Sequence, residues 1–464
     1  LLVSEEFGLY FVRIPLQVSS TIVCGNALQI DWKTVVPPWQ VSYIMGNPPF
    51  VGKKEQSNTQ KQDMEHIAGM IQGKGLLDYV TAWYVKAVRY MKGENVRCAF
   101  VSTNSITQGE QVGVLWRWML DEGVKIFFAH RTFQWNNEAR GKAAVHCVII
   151  GFAETDISPK WLFEYEDIRS LPHKIKAQNI NPYLVDAPNM LLPSRRLPVC
   201  CVKEMVKGNE ATDNGHLILS DKEKDSLIVQ EPFIKRWIRP LLGGEDYLNN
   251  GRRWCLWLQD ISPKDLSSMP SVLKRLESVK AFRASSPKAA TVAKAKTPYI
   301  FGEIRQPIDG SMIVIPKVSS ERRYYMPLAF ISSNVILNNT LQFIPDGIVT
   351  AFGILQSAMH MAWMRAVAGR LESRYQYSIK IVYNNFPWPE NPTDKQKQAI
   401  EAAAQGVLDA RAQFPGSSLA DLYDPLTMPP VLLKAHQHLD KTVDAAYDKT
   451  NFKTEAERVA FLFE

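Results

Sequence analysis

Four consecutive residues, Asn47, Pro48, Pro49 and Phe50, have the chemistry to hold a planar amino group. They follow the apolar run 41–45, which predicts a buried strand. The Asn47 side-chain oxygen and the Pro48 carbonyl can both accept hydrogen bonds from an NH2 group, and the two prolines fix the backbone that carries these acceptors. Phe50 can stack on the ring that bears the NH2 group. This arrangement suits methylation of an exocyclic amine, although a plain Asn-Pro turn after a strand is the alternative interpretation.

The segments around this tetrapeptide alternate between strand and helix patterns. The predicted strands are 21–24, 97–101, 125–129 and 143–152, and the predicted helices are 76–87 and 112–120. Such alternation predicts an α/β fold with a doubly wound, mostly parallel sheet. Ligands of such sheets bind at the carboxyl ends of the strands, and Asn47 is predicted to lie at one of these ends.

Further segments match one family pattern over nearly the whole chain. They are residues 25–28 with 31–32, 46–50, 77–80 with 82–84, 129–139 with 141–143, 385–389, and 419–425 with 428–429. Their order resembles motifs III to VIII of class I methyltransferases. Within that fold, the chain resembles MmeI-like type II restriction-modification enzymes, which carry methyltransferase and target recognition on one chain. The resemblance is specific in the first third and the last fifth, and looser over 156–370.

The resemblance implies three regions. Residues 1–155 would be the carboxyl part of an adenine methyltransferase domain with a partial class I (Rossmann-like) sheet. Residues 156–390 would form a mixed α+β target recognition domain, and 391–464 a small C-terminal helical bundle. The glycine-rich turn that cradles the methionine part of S-adenosylmethionine does not precede Asn26. We therefore expect a carboxyl-terminal fragment that binds this cofactor weakly or not at all when isolated.

The resemblance also implies a function and the residues that carry it. A methyl group would pass from S-adenosylmethionine to N6 of an adenine flipped out of double-stranded DNA. Asn47 and Pro48 would hold N6. Phe133 would contact the base as a second aromatic residue, with Trp135 as the runner-up and a plain core role as the alternative for both. The residues implied at the cofactor are Asn26, where the family usually has an acidic residue, and Asp78 and Tyr79. No metal is implied for methyl transfer.

A basic stretch at 274–296 suits DNA phosphates. Its cations are Lys274, Arg275, Lys280, Arg283, Lys288, Lys294 and Lys296, with Glu277 as the one acidic residue. We expect Lys288, Lys294 and Lys296 to contact phosphates, which supply affinity without sequence information. Arg322 and Arg323 are candidates for base contacts. An ordinary solvated helix or buried ion pairs would explain the same charges.

Composition permits these interpretations without proving them. The net charge of +7 is compatible with a polyanionic partner. The six cysteines lack metal-ligand spacing, so reduced thiols in a cytoplasmic protein are expected. The sequence has no apolar run long enough to span a membrane. It leaves the oligomeric state open.

Two other functions remain open at this point. A DNA-binding specificity module without catalysis would need the recognition region alone. Protein-glutamine N-methyltransferases also use an Asn-Pro-Pro motif on a planar amide. These enzymes lack a long basic recognition region after the sheet, so the stretch 156–389 argues against that alternative.

Overall fold

The first sheet of the described chain has six strands. The computed structural model describes residues 21–135, 145–165, 170–371, 373–447 and 452–464. The strands of this sheet are β1 (Tyr43–Gly46), β2 (Arg97–Thr103), β3 (Lys125–Trp135), β4 (Val145–Ala153), β5 (Lys160–Glu164) and β6 (His173–Ala177). The helices among them are α1 (Trp32–Val35), α2 (Asn58–Ala68), α3 (Thr81–Tyr90) and α4 (Val112–Asp121). The strand order is β1-β2-β4-β3-β5-β6.

Helix α3 packs against the centre of this sheet through aromatic contacts. Tyr84 of α3 is fully buried, stacks on Phe152 of β4 at 5.3 Å between ring centroids, and meets Phe100 of β2 edge-on at 5.2 Å. Buried aromatic pairs stabilise packing beyond the area that they remove from water. The level of the helix relative to the strand ends is therefore well fixed.

The prediction of a mostly parallel sheet is wrong. Strands β1 and β2 pair in parallel, as do β3 and β5, but β4 runs antiparallel to both β2 and β3, and β6 is antiparallel to β5. Residues 136–144 connect β3 to β4, and a parallel crossover needs a dozen or more residues. The short connection therefore forces an antiparallel pair.

The predicted strand at 21–24 is also absent. These residues have no strand pairing within the described chain, and the Ile22 side chain is 87% exposed. An apolar run becomes a strand only where a neighbouring strand supplies hydrogen bonds, and here none of the described strands does so.

The middle region is a mixed α+β assembly of three small sheets. Its strands are β7 (Val206–Lys207), β8 (Ile218–Leu219), β9 (Ile238–Leu242), β10 (Arg253–Leu256), β11 (Ser311–Pro316), β12 (Val318–Ser319), β13 (Ala329–Ser332), β14 (Ile336–Leu337), β15 (Leu341–Pro345), β16 (Gly369–Leu371) and β17 (Arg374–Gln376). The strand orders are β14-β9-β10-β8, β13-β11-β15-β7 and β12-β17-β16. Its helices are α5 (Asp221–Gln230), α6 (Gly244–Asn249), α7 (Pro263–Ser267), α8 (Pro270–Ala284), α9 (Ala289–Ala293), α10 (Val349–Leu355) and α11 (Ala358–Val367).

Helices close the chain. They are α12 (Asp394–Ala412), α13 (Leu419–Leu422), α14 (Pro430–Ala446) and α15 (Glu455–Phe463). The ring of Phe463 in α15 lies 5.1 Å from that of Tyr183 and 5.3 Å from that of Trp363, so the last helix packs against the segment after β6 and against α11. None of the described helices is both long and apolar enough to span a bilayer.

Candidate functional site

Asn47 lies where β1 ends, with its side chain exposed to solvent. Within the described residues, no protein group forms a hydrogen bond with this side chain. Pro48 is buried, and the half-buried Phe50 packs against the main core. Among the described residues, the Asn47 amide therefore has no hydrogen-bond partner, and the backbone that carries it is held in place by the burial of Pro48 and by proline geometry.

Asp78 ties the chain after this turn to its surroundings. Its Oδ1 accepts a hydrogen bond from the Lys53 N–H at 2.9 Å. Its Oδ2 accepts from Ser105 Oγ and from Gln111 Nε2, each at 2.7 Å. A carboxylate has about four acceptor positions, so three bonds to protein leave little capacity for a ligand. The geometry gives Asp78 a positioning role, and its predicted cofactor contact stays a prediction.

Asp63 joins two predicted cofactor residues that are far apart in sequence. Its carboxylate accepts hydrogen bonds from Asn26 Nδ2 at 3.0 Å, Gln29 Nε2 at 2.9 Å and the Tyr79 hydroxyl at 2.7 Å. Burial by itself raises the pKa of Asp63, but these hydrogen bonds, the Tyr79 bond foremost, outweigh it and lower the pKa. Burial and the same contact raise the pKa of Tyr79. An ionised Asp63 therefore organises the segment that carries Asn26.

Sequence reasoning missed Asp63. Ser57 caps the start of helix α2, and its side chain and that of Gln60 form a capping box. Asp63 then falls on the buried face of α2 together with Met64 and Ile67. A carboxylate on an apolar face was the available signal, because such a group needs buried partners.

Phe133 lies at the same sheet edge as Asn47 but not beside it. In the sheet register, Phe133 is paired with Cys147 of β4, and Cys147 is in turn paired with Thr103 at the end of β2. Two strands therefore separate it from β1, which corresponds to about 14 Å at the usual strand spacing. Its ring stacks on Tyr165 at 5.4 Å. The Trp135 side chain and residues 136–144 lie outside the described structure, so the runner-up role is not located.

The basic stretch divides into solvated and structural cations. Lys288 and Lys296 are exposed, and Lys294 is half-buried. Arg283 is fully buried and donates to the backbone carbonyls of Ala211, Thr212, Lys294, Thr297 and Ile300 at 2.8–3.0 Å. Its inclusion among possible phosphate contacts is wrong, because it holds the recognition fold together.

The two arginines predicted to contact bases differ in exposure. The Arg322 side chain is 55% exposed and lies 3.7 Å from Asp424. Arg323 is half-buried and donates to Ser319 Oγ at 3.2 Å, and burial lowers its pKa. The structure therefore leaves Arg322 more available to a ligand than Arg323.

A cleft of about 800 Å³ lies where the three regions meet. We call it the central cleft. The six-stranded sheet contributes Thr132 and His146, the middle region Arg322 and Arg370, and helix α15 Glu455. The cleft thus adjoins the sheet edge that carries Phe133.

Comparison with known proteins assigns the chain to a family. Three family models match consecutive parts: the MmeI DNA-methyltransferase domain over residues 2–164, the MmeI target recognition domain over 186–390, and the MmeI C-terminal domain over 392–464. The chain belongs to the MmeI family. The resemblance identified from the motifs is therefore confirmed.

Two relatives show how much of an MmeI-family protein is present. DNA methyltransferase A of Bacillus subtilis (strain 168) is 38% identical over 97% of this chain and 50% of its own length. A solved structure of the Type IIL restriction-modification enzyme MmeI in complex with DNA is 48% identical and covers 100% of this chain and 62% of the MmeI chain, with a TM-score of 0.88. That score confirms the predicted fold class. The chain spans only part of each relative.

Proposed function

We propose that this chain is part of a site-specific DNA methyltransferase. It would transfer a methyl group from S-adenosylmethionine to N6 of adenine within a fused restriction-modification enzyme, acting on double-stranded DNA in the cytoplasm. The observation that carries the proposal is the Asn47 turn at the end of β1. Its exposed amide has no partner within the described residues, although the backbone around it is held by Pro48 and by the Asp78 contacts.

The chemistry follows from what the turn can accept. The two N6 hydrogens of a flipped adenine would bond to Asn47 Oδ1 and the Pro48 carbonyl. Acceptors keep electron density on N6, which makes the nitrogen a better nucleophile. Phe50 would stack on the base. Proximity to a fixed acceptor pair also orients N6 for attack.

The cofactor side of the proposal rests on Asn26. Its Nδ2 donates a hydrogen bond to ionised Asp63, and its Oδ1 accepts one from the Leu28 N–H at 3.0 Å. The residue nevertheless remains exposed to solvent. A pre-ordered, solvent-facing amide fits contact with the adenine of S-adenosylmethionine, with Gln29 beside it. The bound cofactor would supply an electrophilic methyl group. In the described residues, no group of three or more acidic, histidine or cysteine side chains could hold a metal ion.

The identity of the product tests this proposal. The protein expressed from its complete natural gene is incubated with duplex DNA and S-adenosylmethionine carrying a 13C methyl group. The DNA is then digested to nucleosides for mass spectrometry and sequenced for modified bases. We expect labelled N6-methyldeoxyadenosine at one short sequence.

Three other results would contradict it. Label on cytosine would assign the turn to another base, and label on protein glutamine would assign it to a protein amide. DNA binding without any label would favour the specificity module.

A further inference from the structure

Arg370 is held rigidly at the wall of the central cleft. It lies on β16, where its guanidinium stacks over the Tyr375 ring at 3.6 Å from the centroid. Its Nε donates to Gln108 Oε1 at 3.2 Å and its Nη1 to the Ser373 carbonyl at 2.8 Å. Within the described residues, Nη2 has no hydrogen-bond acceptor. The side chain is therefore ordered in advance but keeps donors free.

The charges of the other arginines in the cleft are matched by carboxylates. Arg131 pairs with Glu164 and Arg365 with Glu455, each at 2.5 Å. In the described chain no carboxylate lies within ion-pair distance of Arg370. The charge of Arg370 nevertheless acts on His146: burial is the main cause that lowers the pKa of this imidazole, and repulsion by Arg370 is the second. Among the described residues, Arg370 is thus a cation with no opposite charge bound to it.

In the part of the chain that the structure describes, the cleft lining has one further carboxylate, Glu321, whose effect on the His146 pKa is opposite to that of Arg370. Arg322, which lies 3.7 Å from Asp424, adds a second exposed cation on the same wall. Among the described residues, the cleft lining contains four arginines (Arg131, Arg322, Arg365 and Arg370) and three glutamates (Glu164, Glu321 and Glu455), a net charge of +1 that suits an anionic ligand.

Arg370 is also fixed relative to the sheet edge that carries Asn47. Gln108 and Gly109 follow β2, the strand next to β1. The Gly109 N–H donates to the Val367 carbonyl at 3.0 Å, and a Cβ at Gly109 would lie only 3.3 Å from Gly369 Cα. Close backbone contact of this kind leaves no space for the two regions to slide.

We propose that Arg370 binds a backbone phosphate of the DNA strand that carries the target adenine. The inference rests on the proposed function, since it requires DNA in the central cleft. The free Nη2 and the second Nη1 hydrogen form a fork that matches two phosphate oxygens. Because Gln108 and Tyr375 hold the guanidinium beforehand, binding loses little side-chain entropy. The contact would set the distance between the strand and Asn47.

Neutral phosphates test the pairing directly. The duplex contains the sequence that the wild-type protein methylates, and single methylphosphonates replace the phosphates of the target strand one at a time. Fluorescence anisotropy measures the Kd for the wild type, Arg370→Gln and Arg370→Lys, all expressed from the complete gene. We expect one position where the wild type loses about tenfold in affinity and Arg370→Gln loses nothing further. The salt dependence of Arg370→Gln should be shallower by a log–log slope of about 0.9.

Matched variants separate the possible outcomes. Arg117→Gln, which changes an exposed arginine on α4, should behave as the wild type at every position. Arg370→Lys keeps the charge and should retain the sensitive position with a smaller loss. If Arg370→Gln is as sensitive as the wild type at every position, or weakens only the preferred sequence, the phosphate contact is refuted while the methyltransferase proposal stands. If the wild type binds no DNA, the proposed function itself fails.

Discussion

At the residue scale, the candidate site consists of the exposed Asn47 amide and of two carboxylates, Asp63 and Asp78, that are hydrogen-bonded within the protein. The Asn47 turn is visible in sequence because its acceptors and prolines are adjacent. Asp63 was missed because its three partners come from two distant segments, and only the fold brings them together. For Asp78 the sequence indicated a place near the predicted site but not its hydrogen bonds, since its partner, the Lys53 N–H, is 25 residues away in the chain.

Removal of the Asp78 carboxylate should reduce turnover without weakening DNA binding. Asp78→Ala deletes three hydrogen bonds, through which Asp78 connects the chain after Phe50, at the Lys53 N–H, to Ser105 and Gln111. A misplacement of about 1 Å can cost on the order of 100-fold in rate, so we expect kcat to fall by roughly that factor. Single-turnover methylation and anisotropy measure the two effects. Asp225→Ala, at an exposed aspartate, is the control. An unchanged kcat would show that Asp78 does not position the turn.

At the element scale, the basic stretch shows why charge patterns mislead. Sequence periodicity does not distinguish Arg283 from Lys280, yet Lys280 is exposed and Arg283 is buried in helix α8. Five backbone carbonyls from two segments, 211–212 and 294–300, converge on Arg283, and charge periodicity along α8 does not reveal these contacts. Helix α4, which has strong local periodicity, was predicted at 112–120 and is observed at Val112–Asp121. The helix predicted at 76–87 is observed as α3 at Thr81–Tyr90, so its predicted start was five residues early.

The lysines at 288, 294 and 296 should act on DNA affinity alone. Replacing Lys288, Lys294 and Lys296 with Ala should weaken binding to all sequences alike. It should also lower the log–log salt slope by about 0.9 for each phosphate that the variant no longer neutralises. Anisotropy over a range of salt concentrations with specific and scrambled duplexes measures this. An unchanged slope would mean that these lysines are only solvated surface.

Arg283→Gln should instead act on stability. It removes the buried guanidinium and leaves the backbone carbonyls that it bonds unpaired, which costs about 1–3 kcal/mol for each unsatisfied group. We expect a lower unfolding midpoint in urea and an unchanged salt slope for the folded protein. If the midpoint stays and the slope falls, Arg283 contacts phosphate after all.

At the scale of the whole molecule, the fold class and the order of the regions were predictable, because family motifs extend along the chain. The strand directions were not, since they depend on the connection at 136–144. The joint between the middle region and the terminal helices was also not predictable. It includes buried groups such as His436 of α14, whose ring stacks on Tyr325 of the middle region at 4.0 Å. The middle region contributes buried His360 on α11, the helix whose Trp363 packs against Phe463 of α15.

This joint should be sensitive to acid. Burial lowers the pKa of His360 to about 3 and that of His436 to about 3, whereas unfolded histidine titrates near 6.5. Between these values the unfolded state binds more protons, so stability falls as the pH drops from about 6.5 towards 3. Asp440, whose pKa burial raises to about 6, has the opposite and smaller effect.

His360→Phe should reduce this acid sensitivity. Between pH 7 and 4.5 the variant should lose about 3 kcal/mol less stability than the wild type, although it starts less stable. Urea unfolding at both pH values measures the difference. An equal loss in both proteins would show that His360 is already charged in the folded state.

The central claim is that the Asn47 side chain holds the target amine. Asn47→Ala, expressed from the complete gene, tests it through the initial rate of N6-adenine methylation and the Kd for the same duplex, with Asn47→Asp retaining an acceptor as the comparison. We predict that Asn47→Ala lowers the rate by about 100-fold or more while the Kd stays within about twofold, and that Asn47→Asp keeps part of the activity. A rate for Asn47→Ala within about tenfold of wild type would show that another group holds the amine, and would contradict the account.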